Sequence, residues 1–271
     1  MKRFNWQGKG AYVVYGVLLL VMYSCFHGQS RGSRLKIVIG NVLNPEATLT
    51  QRYERCVRAS RCTRLEMPSA IDGAQVTEIG EGAFHDQKNL VEIRLPDSVR
   101  AIGDFAFIGC TALQRFKAPQ ALERIDDCLF VGCSDMTTVR ISEKASSVGT
   151  FAFLGCESLR NFEVDPNNRS LMSRDGVLLT RDGSELICYP SGREKKRYAI
   201  PSTVKVVRKG AFVDCAHLAR VFVPDYVNEI GDWNFYACRR LKSVFMNAGA
   251  CVKLGRNVPS KVFRHGLHEA E

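Results

Sequence analysis

The sequence is short of the side chains from which catalytic and metal centres are usually built. It holds five histidines in 271 residues, His27, His85, His217, His265 and His268. None belongs to a His-Glu-x-x-His pair, and no glycine-rich phosphate loop is present. Its eleven cysteines include no Cys-x-x-Cys pair, so the spacing that usually grips zinc is missing. The close pair His265 and His268 reads as a solvated tail rather than a metal site. No enzyme, no metal and no cofactor are expected from this inventory. Carboxylates are scarce too: 28 Asp and Glu against 38 Lys and Arg leave a formal charge of +10. That excess suits anionic partners such as acidic glycans, phospholipid headgroups or nucleic acid, and equally a solvated basic surface. A hydrophobic content of 45% excludes disordered and collagen-like chains.

One long apolar run exists, Ala11 to Met22, preceded by Lys2, Arg3 and Lys9. A dozen residues at ~1.5 Å each span about 20 Å, short of the ~30 Å hydrocarbon core. Residues 1–25 therefore read as an export signal and not as part of the fold. The run ends Val-Met-Tyr-Ser-Cys25, which resembles the lipobox of bacterial lipoproteins, with Met22 and Tyr23 departing from its usual residues. The resemblance implies lipidation at Cys25. A plain cleaved signal and an uncleaved signal anchor are the alternatives. Loss of the three cations of residues 1–24 leaves a charge of +7.

The strongest signal is repetition. Ile79-Gly-Glu-Gly-Ala-Phe84 returns as Ile102-Gly-Asp-Phe-Ala-Phe107, Ile125-Asp-Asp-Cys-Leu-Phe130 and Val148-Gly-Thr-Phe-Ala-Phe153. After one larger gap it returns as Val207-Arg-Lys-Gly-Ala-Phe212 and Ile230-Gly-Asp-Trp-Asn-Phe235. Three residues beyond each phenylalanine stands Cys110, Cys133, Cys156, Cys215 or Cys238, with Gln87 in the first copy. Leu90, Leu113, Met136, Leu159, Leu218 and Leu241 follow three further on. Units of 23 residues cannot bury such anchors alone, so neighbours must stack around a shared core. In Leu90-x-x-Ile93-x-Leu95-Pro96 the apolar residues turn inward along a short strand, and proline ends it. The fold expected is a leucine-rich-repeat solenoid, right-handed stacked coils with a parallel β-sheet on the concave face.

These motifs resemble the treponemal, or BspA-type, leucine-rich repeat. The stretch Leu65 to Gly80, with its Ile71-Asp72-Gly73 turn, resembles that family's opening repeat. The segment 165–200 resembles its hairpin-bearing long repeat, and Arg181-Asp-Gly183 between two apolar runs is a hairpin signal in its own right. Departures are local: Asp126 and Arg208 replace the repeat glycine, and Ser142 and Asn247 the proline. Residues 26–64 are expected to form an N-terminal cap, with a helix opening near Pro45. Residues 65–251 form the solenoid, and 252–271 a C-terminal cap or tail. Resemblance further implies an exported or surface protein that acts as an adhesin or interaction scaffold.

The five repeat cysteines read as small core residues with free thiols, because their side chains run parallel rather than face each other. Cys56 and Cys62, outside that file, are the disulfide candidates. Residues between the inward anchors point outward and form columns. Arg94, Lys117 and Arg140 lead through Glu163 into Phe222 and Phe245, with Arg115, Arg220 and Lys242 on the same strands. Exposed aromatics beside arginines suit a binding face, unless the hairpin near 170–190 or the C-terminal tail covers them. The expected function is an envelope-tethered interaction or adhesion module for a protein or anionic glycan. A periplasmic scaffold is the alternative and a hydrolase the remote one. Nucleic acid is not an expected partner, and membrane contact runs through the lipid or signal anchor.

Overall fold

The structure, a computed structural model, describes residues 37–39, 63–71, 74–248 and 250–265. All of them fall in one unit, residues 34–271. The export segment, Cys25, Cys56, Cys62, His27, His268 and the helix expected near Pro45 lie outside the described residues.

The chain is the expected β-solenoid, wound in about eight coils. Each coil lays one strand on a long face. Arg64–Glu66, Glu92–Arg94, Arg115–Lys117, Thr138–Ile141 and Asn161–Val164 pair in parallel as a first sheet. Arg197–Ala199, Arg220–Phe222, Ser243–Met246 and Phe263–His265 form a second. A second wall carries shorter parallel strands such as Arg124–Ile125 against Ser147–Val148. At the N-terminal end Ile37–Ile39 adds antiparallel to Ala74–Ile79, which also pairs with Ala70–Ile71. The repeat geometry carries on past the boundary expected at residue 251. Lys253–Leu254 joins the second wall and Phe263–His265 the second sheet, so residues 253–265 form a terminal coil.

The interior explains the repeat. Phe84, Phe107, Phe130 and Phe153 stack face to face, with ring centroids 5.1, 5.3 and 5.6 Å apart. That spacing matches the ~4.8 Å between neighbouring strands, so each ring lies on the ring of the next coil. The cysteines are more than small core residues. Cys110, Cys133, Cys156 and Cys238 each donate Sγ–H to the carbonyl of the phenylalanine 26 residues earlier, at 3.0–3.2 Å. The thiol thus adds a donor from the next coil to a carbonyl that, in Phe84, Phe107 and Phe130, already accepts the backbone N–H three residues on. Burial pushes the Cys110 thiol up to about 12 and raises those of Cys133 and Cys156 as well.

Two left-handed residues turn the coils of Phe84, Phe107, Phe130, Phe153, Phe212 and Phe235, one two places before the ladder aromatic and one two places after. Phe105 and Gly109, Cys128 and Gly132, and Phe151 and Gly155 are such pairs. A side chain in this conformation costs roughly 1–2 kcal/mol. It persists because the surrounding backbone is pinned: Gly82, Phe84 and Asp86 donate to the Asp104, Ala106 and Ile108 carbonyls of the next coil at 2.8–3.0 Å. The glycine after the repeat isoleucine has a different reason. A Cβ on Gly149 would stand 2.6 Å from the Asp127 nitrogen of the preceding coil.

The large gap between Phe153 and Phe212 holds one further ladder position, which divides it into a long hairpin-bearing repeat and one of ordinary length. Tyr189 takes the ladder position, stacked 5.3 Å from Phe212, and its coil's strand is Arg197–Ala199. The inserted residues form an antiparallel meander of Leu171–Arg174, Val177–Thr180 and Glu185–Cys188. The turn expected at Arg181-Asp-Gly183 is present, with Asp182 capping it through Ser184 and Thr180, and a second turn has positive φ at Asp175 and Gly176. Successive side chains of the meander serve different cores. Leu178 and Ile187 join the core of the first coils, while Val177, Leu179 and Leu186 join that of the later ones. The insertion is a septum between two stacks, and it divides the long face into two sheets.

Where a repeat residue changes, the interior compensates. Asn234 replaces the small ladder-flanking residue and accepts from the Phe212 N–H while donating to the Arg208 and Gly231 carbonyls. Asp214 is not so well served. It occupies the left-handed place held by glycine in three other coils, and its Oδ2 is buried without a partner. Burial, reinforced by Glu157, pushes its carboxyl up to about 7. A raised folded-state pKa stabilises below the ordinary carboxylate value and loses that contribution as pH rises through about 7. Asp214→Asn should therefore melt higher than the wild type near pH 8 and equally near pH 4. Melting curves at the two pH values check this, and an equal difference at both would contradict it.

Candidate functional site

The outward columns of the long face are the chain's candidate site. In the first sheet the register places Glu66 beside Arg94 and aligns Lys117, Arg140 and Glu163. Arg64, Glu92, Arg115, Thr138 and Asn161 form the neighbouring column. Alternation alone fixes this arrangement, since Leu65, Ile93, Phe116, Val139 and Phe162 on the same strands are buried. Arg94, Arg115, Lys117 and Arg140 are all exposed. They are not a uniform basic stripe, because Arg94 binds Glu92 at 3.1 Å and Arg140 binds Glu163. Arg115 and Lys117 make no ion pair among the described residues. Exposed pairs of this kind contribute about 0–1 kcal/mol to stability; their larger effect is to lower the field of this sheet.

The second sheet differs in kind. Its outward columns read Arg197, Arg220, Ser243 and Ala199, Phe222, Phe245, Arg264. No carboxylate stands in either. Lys196 and Lys242, each one residue before its strand, are exposed. Phe222 and Phe245 lie side by side with centroids 5.3 Å apart and planes at 12°. Both are half-buried. The inserted hairpin is used within the solenoid, where the Gly176 carbonyl accepts the Phe162 N–H and Asp175 holds Arg193 and Lys195. The chain after Asn257 returns as a strand beside Phe245, with Arg264 opposite it.

Other chemistry finds little footing. Among the described residues no group of three or more His, Cys, Asp and Glu side chains is placed to hold a metal ion, and His265 is exposed on the terminal strand. No described helix is long and apolar enough to cross a membrane. A cavity of about 30 Å³ lies at the break in the second wall, lined by Phe151, Tyr189, Lys209 and Gly210 among others. That is room for about one water molecule. The pentapeptide Gly28-Gln-Ser-Arg-Gly32 has the Gly-x-Ser-x-Gly spacing of a hydrolase elbow; it lies outside the described residues.

A strand-lined solenoid with an outward face free of core duties is the architecture of a leucine-rich-repeat protein. The BspA-type leucine-rich repeat region matches in six copies over residues 48–174 and 191–261, and the chain belongs to that family. Solved structures share the fold. A leucine-rich repeat protein from Eubacterium ventriosum is 21% identical, with a TM-score of 0.61 over 78% of this chain and 60% of that one. The pneumococcal vaccine antigen PcpA is 23% identical, with a TM-score of 0.60 over 77% of this chain and 64% of that one. This chain thus spans less than two thirds of either protein. No curated protein matches the sequence.

The inward and outward aromatics should separate cleanly in stability. Phe107 is fully buried between two rings, so Phe107→Ala should cost ~3–5 kcal/mol. Phe222→Ala removes a half-buried ring and its stacking on Phe245, at about 0.5–1.5 kcal/mol for that contact. Denaturant unfolding of both variants measures the difference. A Phe222→Ala loss equal to that of Phe107→Ala would make Phe222 a core residue.

Proposed function

We propose that this chain is an exported, envelope-tethered and non-enzymatic recognition module that holds a protein or an anionic glycan against its long face. One observation carries the reading. Phe222 and Phe245 point outward from strands whose inward partners Val221 and Val244 already complete the core. Aromatic side chains on the outward side of a sheet are common anchors of an interface. Arg220 and Lys242 beside them, and Arg115 and Lys117 on the first sheet, supply the charge that steers an anionic partner.

Export and tethering rest on the sequence of residues 1–25: the cations Lys2, Arg3 and Lys9, the apolar run, and Cys25. Lipidation of Cys25 would hold the chain at a membrane surface. The same geometry would serve a periplasmic scaffold that organises other envelope proteins, and location distinguishes the two.

Labelled palmitate should enter the wild-type protein in its native bacterium, and Cys25→Ala should abolish the labelling. Protease added to intact cells should remove the solenoid. An unlabelled protein with its mature N-terminus elsewhere would overturn the tether. Protection from protease until the envelope is permeabilised would favour the scaffold.

A further inference from the structure

We propose that the later coils, residues 191–265, bind a sulfated glycan along the edge of the second sheet, on Lys196, Arg220, Arg240 and Lys242. This rests on the reading of the chain as a recognition module and narrows its partner to one class. The distribution of charge along the solenoid is the first reason. Residues 191–265 hold fifteen Lys and Arg against five Asp and Glu, a charge of +10 with every acid counted as ionised. The described residues before them, from Thr63 to Pro190, hold thirteen against eighteen, a charge of −5. The sign changes just past the septum, so the later coils alone present a positive field to an anionic polymer.

Register draws part of that charge into a row. The Lys196 carbonyl accepts the N–H groups of Ala219 and Arg220, and the Ala219 carbonyl those of Lys242 and Ser243. Lys196 and Lys242 therefore stand two coils apart on one line, about 10 Å at one strand spacing per coil. Arg220 lies on the coil between them, and Arg240 two residues before Lys242. All four are exposed, and none makes an ion pair among the described residues. The acids nearby do not cancel the row. Glu194 is held by Arg160, and Asp175 is shared by Arg193 and Lys195. Asp225 keeps its charge beside the neutral Asn247 amide, five residues past Arg220 and beyond the far end of its strand. Asp214, six residues before Arg220, is buried and held toward its neutral form by burial and by Glu157, which is exposed on the last coil before the septum.

Residue type selects the partner. Lysine supplies seven of the fifteen cations. It is depleted from the cores of protein interfaces, yet serves as a point-charge contact for tetrahedral oxyanions such as phosphate and sulfate. Because the row repeats with the coil, a polymer with charge at regular intervals meets a cation on each coil it crosses. Single-stranded nucleic acid would also need aromatic platforms for its bases, and the row contains none.

Heparin fragments, polyglutamate and single-stranded DNA of matched charge decide the matter. The full chain should bind heparin severalfold more tightly than the other two, and lose about tenfold or more in affinity between roughly 50 and 200 mM salt. Lys196→Glu with Lys242→Glu should weaken heparin binding about tenfold or more, whereas Lys196→Arg with Lys242→Arg should preserve it. Lys88→Glu with Lys144→Glu, on the earlier coils, should leave it within about twofold, since exposed charges beyond a Debye length are screened. Polyglutamate or DNA bound as tightly as heparin, or heparin binding that Lys88 and Lys144 control equally, would overturn this inference and leave the recognition face standing. So would an absence of binding to all three polymers. Heparin binding unchanged by reversal at Lys196 and Lys242 and by reversal at Arg115 and Lys117 would place it off the long face and overturn both readings.

Discussion

The molecule is built around two files of aromatic rings, one on each side of the inserted meander, in which neighbouring coils lay ring on ring. Phe84, Phe107, Phe130 and Phe153 make the first run, and Tyr189, Phe212 and Phe235 the second. A ring in such a file has half of its partners in the coil above and half in the coil below, so no coil is stable alone. The centroid spacing of 5.1–5.6 Å can be held only if successive coils rise by one strand spacing. That constraint sets the parallel register on both walls, the glycine where coils come closest, and the two left-handed residues that close each turn. In four coils the cysteine three places on also donates to the carbonyl of the preceding coil's aromatic.

A fold stabilised wholly from within leaves its long face free to vary, and the two sheets have used that freedom differently. The first mixes signs and pairs Arg64 and Arg94 with Glu92, and Arg140 with Glu163. The second has no carboxylate in its outward columns and sets Arg197, Arg220 and Arg264 beside a phenylalanine pair. The septum between them, the meander from Leu171 to Cys188, makes this division possible. It interrupts the strand ladder while its side chains keep both cores filled, so the second sheet is a separate surface on the same solenoid.

The repeat, the strand positions, the hairpin turns and the outward columns were legible in the sequence, because each follows from a period or from alternation. Tyr189 was not. It stands 23 residues before Phe212, and Tyr198-Ala-Ile200-Pro201 follows it as a strand, but Cys188-Tyr-Pro190 lacks the Ile-Gly-x-x-Ala approach that marks the other ladder positions. Composition could not show that Arg94 and Arg140 hold carboxylates, since that depends on which strands are neighbours. Lys253–Leu254 and Phe263–His265 keep the geometry of a coil without its motif, because pairing to the preceding strands is enough to place them. The left-handed Phe105, Cys128, Phe151 and Trp233 were hidden for a different reason. Bulky residues carry no signal for that conformation, and only the inter-coil hydrogen bonds hold them in it.

The claim that stability is shared between coils through the aromatic file has a direct test in native-state hydrogen exchange. In Phe130→Ala the amides of Phe107 and Gly109, which donate to Leu129 and Val131, and those of Phe130 and Gly132, which donate to Ala152 and Leu154, should all lose protection. The effect should fade with distance toward Phe84 and not reach the coils beyond the septum, such as that of Phe212. Loss of protection confined to the coil of residue 130 would mean that coils are stabilised individually. The stacked file would then be a consequence of the fold and not its cause.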